Sequence, residues 1–126
     1  MKQLIKWVFF LAVFANVASC QSQQDKTITK VDKQVIKSEV IGKEVQLVDV
    51  RTPGEYKAGH IDHAVNFDLS NQSGFLKQIE TLDKNEPVYV YCLVGSRSAY
   101  AAKILQDKGF TKVFDYSGGY SDWVRN

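Results

Sequence analysis

Hydrophobic positions along this chain form short apolar runs, which alternate with stretches of helical spacing. Ile28 opens the patterned region as a short edge strand. Val31, Val35 and Ile36 predict a weak helix that turns at Gly42. Residues 45–50 form the first strong strand. Thr52 then reads as an N-cap, with Pro53 at the first helical position, Glu55 three residues after the cap, and Tyr56 as the apolar anchor. Gly59, His60 and Ile61 close that helix, and residues 64–67 return to strand. Residues 70–73 offer several N-caps, and Phe75, Leu76, Ile79 and Leu82 mark one face of the next helix. Pro87 starts the strand Val88–Tyr91, which is β-branched and aromatic. From Ser98 the spacing is helical again: Ala101, Ala102, Ile104 and Leu105 share a face, and Gly109 stops the helix. Residues 112–115 form the last strand, and Gly118 and Gly119 open a final helix carrying Tyr120 and Trp123.

Strands alternate with helices, and no hairpin signal joins consecutive strands. This predicts an α/β domain with a mostly parallel sheet of about five strands and helices on both faces. Several strands are apolar throughout, as expected when both faces of a sheet are covered.

The strand 88–91 delivers Cys92 to the carboxyl end of the sheet, just ahead of a helix. In open α/β sheets ligands bind there. Thiolate is the nucleophilic form of cysteine, and helix N-termini and nearby cations favour it. Gly95 permits a sharp turn, so the amides of residues 94–98 are placed to form an anion-binding nest, with Arg97 as a positive charge at the far lip. Leu93, Val94, Ser96 and Ser98 complete the cradle.

Composition narrows the classes further. The chain has 126 residues, enough for one domain with a core; 44% are hydrophobic and 24% charged. The net charge is +2 without a basic block, which argues against nucleic-acid binding. Residues 1–19 have signal-peptide architecture: Lys2 and Lys6 precede a nearly unbroken apolar run, and the small residues Ala18 and Ser19 precede Cys20. That run is about a dozen residues, short of the ~20 that span a bilayer. Val17-Ala18-Ser19-Cys20 resembles a bacterial lipobox, which implies lipidation of Cys20 and an exported, membrane-anchored domain on the periplasmic or cell-envelope side. Residues 20–27 then read as a polar tether and 28–126 as the folded domain. Without Lys2 and Lys6 the chain carries 14 basic and 14 acidic side chains. Lipidation would leave Cys92 as the sole thiol, so no disulfide framework is expected.

The segment Cys92-Leu93-Val94-Gly95-Ser96-Arg97-Ser98 resembles the active-site loop of rhodanese-like sulfurtransferases. Residues 49–56, Gly59-His60-Ile61 and Ala64-Val65-Asn66 are similar to that family's N-terminal signature, and Gly118-Gly119-Tyr120 with Trp123 to its C-terminal one. Four residues separate Cys92 from Arg97. In the family this shorter loop goes with sulfur transfer, whereas phosphatases and arsenate reductases of the same fold carry one residue more. The resemblance implies that Cys92 takes a sulfane sulfur from a donor such as thiosulfate and passes the persulfide sulfur to cyanide or a thiol, with no metal or organic cofactor. The alternative from the same residues is a membrane-tethered persulfide carrier with little turnover on small donors. The chain departs from the family at Asp62-His63, where many members have Pro-Gly, and at Val94, where many have a small or polar residue.

The remaining polar residues carry weaker signals. Asp49 and Arg51 lie at a strand's carboxyl end as supporting residues, either bracing the cradle or forming a structural pair, with Arg51 against Glu55. His60 reads as structural and His63 as a solvated turn residue. Two histidines and one spare thiol fall short of the four ligands of a structural zinc site. Tyr89, Tyr91, Tyr116, Tyr120 and Trp123 read as core and cap.

Overall fold

The computed structural model describes residues 26–126; the predicted leader, Cys20 and most of the predicted tether lie outside the described residues. Five strands form one sheet: β1 (Ile28–Val31), β2 (Gln46–Asp49), β3 (Val65–Asn66), β4 (Val88–Tyr91) and β5 (Val113–Tyr116). Their spatial order is β1-β5-β4-β2-β3, and every pairing is parallel. The intervening helices are α1 (Lys33–Glu39), α2 (Pro53–Ala58), α3 (Gln72–Ile79), α4 (Ser96–Asp107) and α5 (Gly119–Trp123).

Each face of the sheet buries its own apolar cluster. Val48, Val50, Val88, Val90 and Val113 pack with Phe75 and Ile79 of α3 and with Ala101, Ala102 and Leu105 of α4. On the other face Leu47, Tyr89, Tyr91 and Tyr116 meet Ile36 of α1, with Tyr56, Tyr120 and Trp123 packed against them. The core-and-cap reading of the aromatics therefore holds. Covering both faces is what removes strict alternation from β4, whose four residues are all buried.

The predicted elements are all present, with shifts at their ends. The strand predicted over 112–115 lies at Val113–Tyr116, because Val113 pairs with both Val88 and Ile28. The helix predicted from Ser98 begins at Ser96, with Gly95 as its N-cap at φ 100°. That left-handed geometry turns the chain within one residue. A side chain at Gly95 would also lie 2.5 Å from the Ser117 carbonyl oxygen. At the other end of α4, Gly109 donates to the Gln106 carbonyl and Phe110 to the Leu105 carbonyl, closing the helix in a Schellman motif.

The topology fixes where a ligand belongs. The chain leaves β2 toward β3 on one side and leaves β4 toward β5 on the other. The carboxyl ends of β2 and β4 therefore flank the switch point of the sheet, where open α/β folds hold ligands. Cys92 directly follows β4.

Candidate active site

Cys92 is fully buried at the floor of the loop between β4 and α4. The Gly95 N–H donates to Cys92 Sγ at 3.0 Å. An N–H aimed at sulfur stabilises negative charge there. The thiol in turn reaches Ser98 Oγ at 3.6 Å, and the Ser98 hydroxyl lies 3.2 Å from the Gly95 carbonyl it donates to. The predicted nest is thus narrower than expected. Among the described hydrogen bonds, Gly95 supplies the amide on sulfur, because the helix starts at Ser96 and its first residues turn into α4.

The rim of the loop is apolar. Val94 is 65% exposed, Leu93 is half-buried and Ser96 is exposed. The loop is clamped from below by α5. Tyr120 N–H donates to the Cys92 carbonyl at 2.8 Å, and Ser121 N–H to the Leu93 carbonyl at 3.1 Å. Gly119, at φ 68°, allows this approach, since a Cβ there would lie 2.6 Å from the Cys92 oxygen and 2.4 Å from that of Leu93. The glycine pair and the cysteine loop form one packed unit although they are distant in sequence.

Arg97 does not stand as a free cation at the lip. Its Nη1 and Nη2 donate to Glu55 Oε1 and Oε2 at 2.7 and 3.0 Å, a bidentate pair. Glu55 also accepts from the Thr52 N–H and hydroxyl, completing the capping box of α2. Hydrogen bonding to Arg97 holds the Glu55 carboxyl down at about 2, against a smaller opposing effect of burial. The pair ties the N-terminus of α2 to that of α4 and leaves the positive charge of Arg97 largely compensated. The partner of Glu55 is therefore Arg97, not Arg51.

Arg51 pairs with Asp49. Its Nε lies 3.0 and 3.1 Å from the two carboxylate oxygens and its Nη2 lies 2.7 Å from Oδ2, with both side chains buried. Arg51 also donates to the Gly59 carbonyl at 2.7 Å and stacks its guanidinium 4.3 Å from the centre of the Tyr120 ring. Asp49 follows Val48 and precedes Val50, which both point to the α3–α4 face, so its side chain points to the face opposite Cys92. The two residues brace the β2–α2 turn and α5 rather than line the sulfur.

The histidines divide as well. His60 stacks on Tyr56 at 3.8 Å, as a structural residue does. His63 is an exposed turn residue, as predicted, and it also bonds Asp62 at 2.8 Å and the Val45 carbonyl at 3.0 Å beside the left-handed turn at Asp62, φ 39°. Among the described residues, no three His, Cys, Asp or Glu side chains cluster to hold a metal ion.

Two site residues escaped the reading of the sequence. Glu55 was recognised as a cap, but its pairing with Arg97 is long-range and leaves no local signal. The sequence marks Asp115 only as a strand end. It is buried in β5 and has an oxygen, Oδ1, without a hydrogen-bond partner. An acid inside an interior parallel strand is the signal that flags it.

Known proteins share this architecture. A curated Bacillus subtilis protein of uncharacterised function, YqhL, is 29% identical over 98% of this chain and 94% of its own length. The thiosulfate sulfurtransferase GlpE of Shewanella oneidensis is 38% identical over 64% of this chain and 77% of its own length. The crystal structure of a rhodanese-like domain protein from Staphylococcus aureus superposes with a TM-score of 0.66 at 28% identity, covering 75% of this chain and 90% of that one. A family model for the rhodanese-like domain matches residues 32–126, from the cap of α1 to the end of the chain, and on that match this protein belongs to the rhodanese-like domain family.

Proposed function

We propose that this protein is a sulfurtransferase whose nucleophile is Cys92, with thiosulfate as donor and cyanide or a thiol as acceptor. The observation that carries the reading is the short loop: Cys92 Sγ receives the Gly95 N–H, and the helix begins four residues after the cysteine. A sulfur atom bound to Cys92 needs no wider cradle. The Cys92 sulfur attacks the outer sulfur of the donor, a new S–S bond forms, and sulfite leaves with the electrons of the old one. The acceptor then attacks the terminal sulfur and releases the Cys92 thiolate. Splitting one transfer into two displacements is covalent catalysis. Gly95 N–H stabilises the sulfur anion electrostatically, while Arg97 and Glu55 hold the loop in shape.

Cys92 is fully covered, so residues 93–97 must yield before a donor reaches the sulfur. The exposed Val94 gives that entrance an apolar lip. This lip supports the second reading, a persulfide carrier that discharges only to a partner protein. Lipidation at Cys20, with anchoring on the periplasmic or envelope side of a bacterial membrane, completes the proposal and rests on the sequence of residues 1–20.

The test is thiocyanate formation from thiosulfate and cyanide by the purified chain, beside a Cys92→Ser control. Turnover that vanishes in the control supports the enzyme. One added sulfur on Cys92 by intact mass, without turnover, supports the carrier. Neither result removes thiosulfate as the donor.

A further inference from the structure

The surroundings of Cys92 restrict how a reactant reaches its sulfur. α5 holds the Cys92 and Leu93 carbonyls from below. On the inner side Cys92 belongs to the buried cluster beneath α3 and α4, and both Cys92 and Ser98 are fully buried. The outer face of residues 93–97 is what solvent meets: Val94 and Ser96 are exposed, and Leu93 is half-buried. One exposed valine on a protein surface needs no explanation. Val94 differs by its place, because the amide that follows it, the Gly95 N–H, donates to Cys92 Sγ at 3.0 Å. The Val94–Gly95 peptide thus covers the sulfur, and the Val94 side chain, 65% exposed, is the outer surface of that cover.

The same face lacks an uncompensated charge. Arg97 is the charged residue of the loop, and its Nη1 and Nη2 donate to the two Glu55 carboxylate oxygens at 2.7 and 3.0 Å. Arg51, at the end of β2, is paired with Asp49 and buried. A bidentate pair presents a dipole and almost no net charge, so an anionic molecule gains little from it. Apolar contact with Val94 is the attraction that the loop offers.

We propose that Val94 selects the sulfur acceptor, and that the acceptor class is an uncharged thiol with an apolar substituent of a few carbons next to its sulfur. The inference rests on Cys92 being the sulfur nucleophile, and it narrows the acceptor of that same reaction. The acceptor thiol loses its proton to water, and its thiolate attacks the terminal sulfur of the Cys92 persulfide. A new S–S bond forms, the bond from Cys92 Sγ to that sulfur breaks, and its electron pair remains on Cys92 as thiolate. The acceptor leaves as a hydropersulfide, with the terminal sulfur keeping its own proton. While the attack proceeds, the carbons beside the acceptor sulfur lie against Val94.

The test separates loading from discharge. Cys92 in the full chain is loaded with sodium tetrasulfide, so thiosulfate is not involved, and the added sulfur is confirmed by intact mass. Discharge is then timed with ethanethiol, propanethiol and butanethiol, and with the pair 2-mercaptoethanol and 2-mercaptoethanesulfonate. Samples are alkylated with iodoacetamide in denaturant, and the Cys92 peptide is read by mass spectrometry. A fully buried methylene is worth about fourfold, and one lying on an open lip about twofold. The wild type should therefore discharge about fourfold faster to butanethiol than to ethanethiol, and no faster to the sulfonate than to the alcohol. In Val94→Ser the butanethiol-to-ethanethiol ratio should fall below about twofold. In Glu55→Gln the freed Arg97 charge should raise the sulfonate-to-alcohol ratio severalfold. A change that only loosened the loop would scale every acceptor alike and leave both ratios in place. Equal chain-length ratios in wild type and Val94→Ser would overturn the proposal, as would a wild type that prefers the sulfonate. If the wild type loads and discharges but the ratios do not move, the sulfurtransferase reading stands and this proposal alone falls. If Cys92 takes no sulfur, or releases it to none of the thiols, both fall together.

Discussion

Replacing Glu55 by Gln isolates the clamp between α2 and α4. Gln keeps the shape of the side chain and still serves the cap, but it cannot pair ionically with Arg97. In the folded protein the Glu55 carboxyl is held at about 2 against an ordinary 4.5. At about 1.4 kcal/mol per unit, that gap has a ceiling of about 3 kcal/mol. The side chains of Arg97 and Glu55 are 34% and 30% exposed, so water screens the pair, and about 1–2 kcal/mol is the reasonable expectation. For a domain of this size the melting temperature should fall by about 5–12 °C at neutral pH. A depressed carboxyl stabilises the fold above its unfolded value and loses that contribution as pH falls through the folded one. The difference between wild type and Glu55→Gln should therefore be full above about pH 5.5 and less than half as large at about pH 3. Urea denaturation of both proteins at the two pH values measures this. An equal difference at both would refute the reasoning, because the loss would then come from packing or capping and not from the ion pair.

The glycines and buried charges yield sharper contrasts. Gly119→Ala should cost about 1–3 kcal/mol and most of the transfer activity, since its Cβ meets the Cys92 and Leu93 carbonyls; in Gly118→Ala the Cβ would lie 2.9 Å from Asp122 Cβ, which α5 holds in place, and denaturation should show about 1–2 kcal/mol lost. Gly54→Ala places its methyl in open space within α2 and should stabilise by about 0.5–1 kcal/mol, read as a rise in melting temperature. Arg51→Leu strands the Asp49 carboxylate in the interior and should cost about 3–5 kcal/mol by urea denaturation. His63 is raised above its ordinary value by the hydrogen bond it donates to the Asp62 carboxylate, so it stabilises the fold below about pH 6.5 and loses that effect as pH rises through its folded value; NMR titration of the imidazole should show the upward shift, and its loss in Asp62→Asn.

What the sequence made legible follows the range of each interaction. The capping box of Thr52 and Glu55, the strand 88–91, the stop at Gly109 and the position of Cys92 are written in neighbouring residues, and all are found in the structure. Strand order, pairing partners and charge pairs join distant segments, and there the reading was incomplete. Arg97 looked like a free cation because the loop holds no acid, yet the acid comes from α2. Arg51 and Glu55 looked like partners because they are four residues apart, but the extended turn between them faces Arg51 back onto Asp49.

This redistribution of charge changes how the site works. If Arg97 were free, it would supply the attraction for an anionic donor and the stabilisation of the sulfur anion together. With Glu55 holding it, the two tasks separate. In the proposed reaction, anion stabilisation falls to the Gly95 N–H, which is in direct reach of the sulfur. Hydrogen bonds from neutral groups are directional, so their value depends on the loop keeping its shape. The structure meets that need from three sides: Tyr120 and Ser121 hold the loop carbonyls, Gly119 brings α5 close enough to do so, and the Arg97–Glu55 pair fixes the start of α4. Residues that never touch the sulfur should therefore govern its reactivity, and variants at Gly119 or Glu55 should lower the transfer rate more than they lower the affinity for thiosulfate. A loss confined to affinity in steady-state kinetics of Glu55→Gln would restore Arg97 to the role of a donor-binding cation.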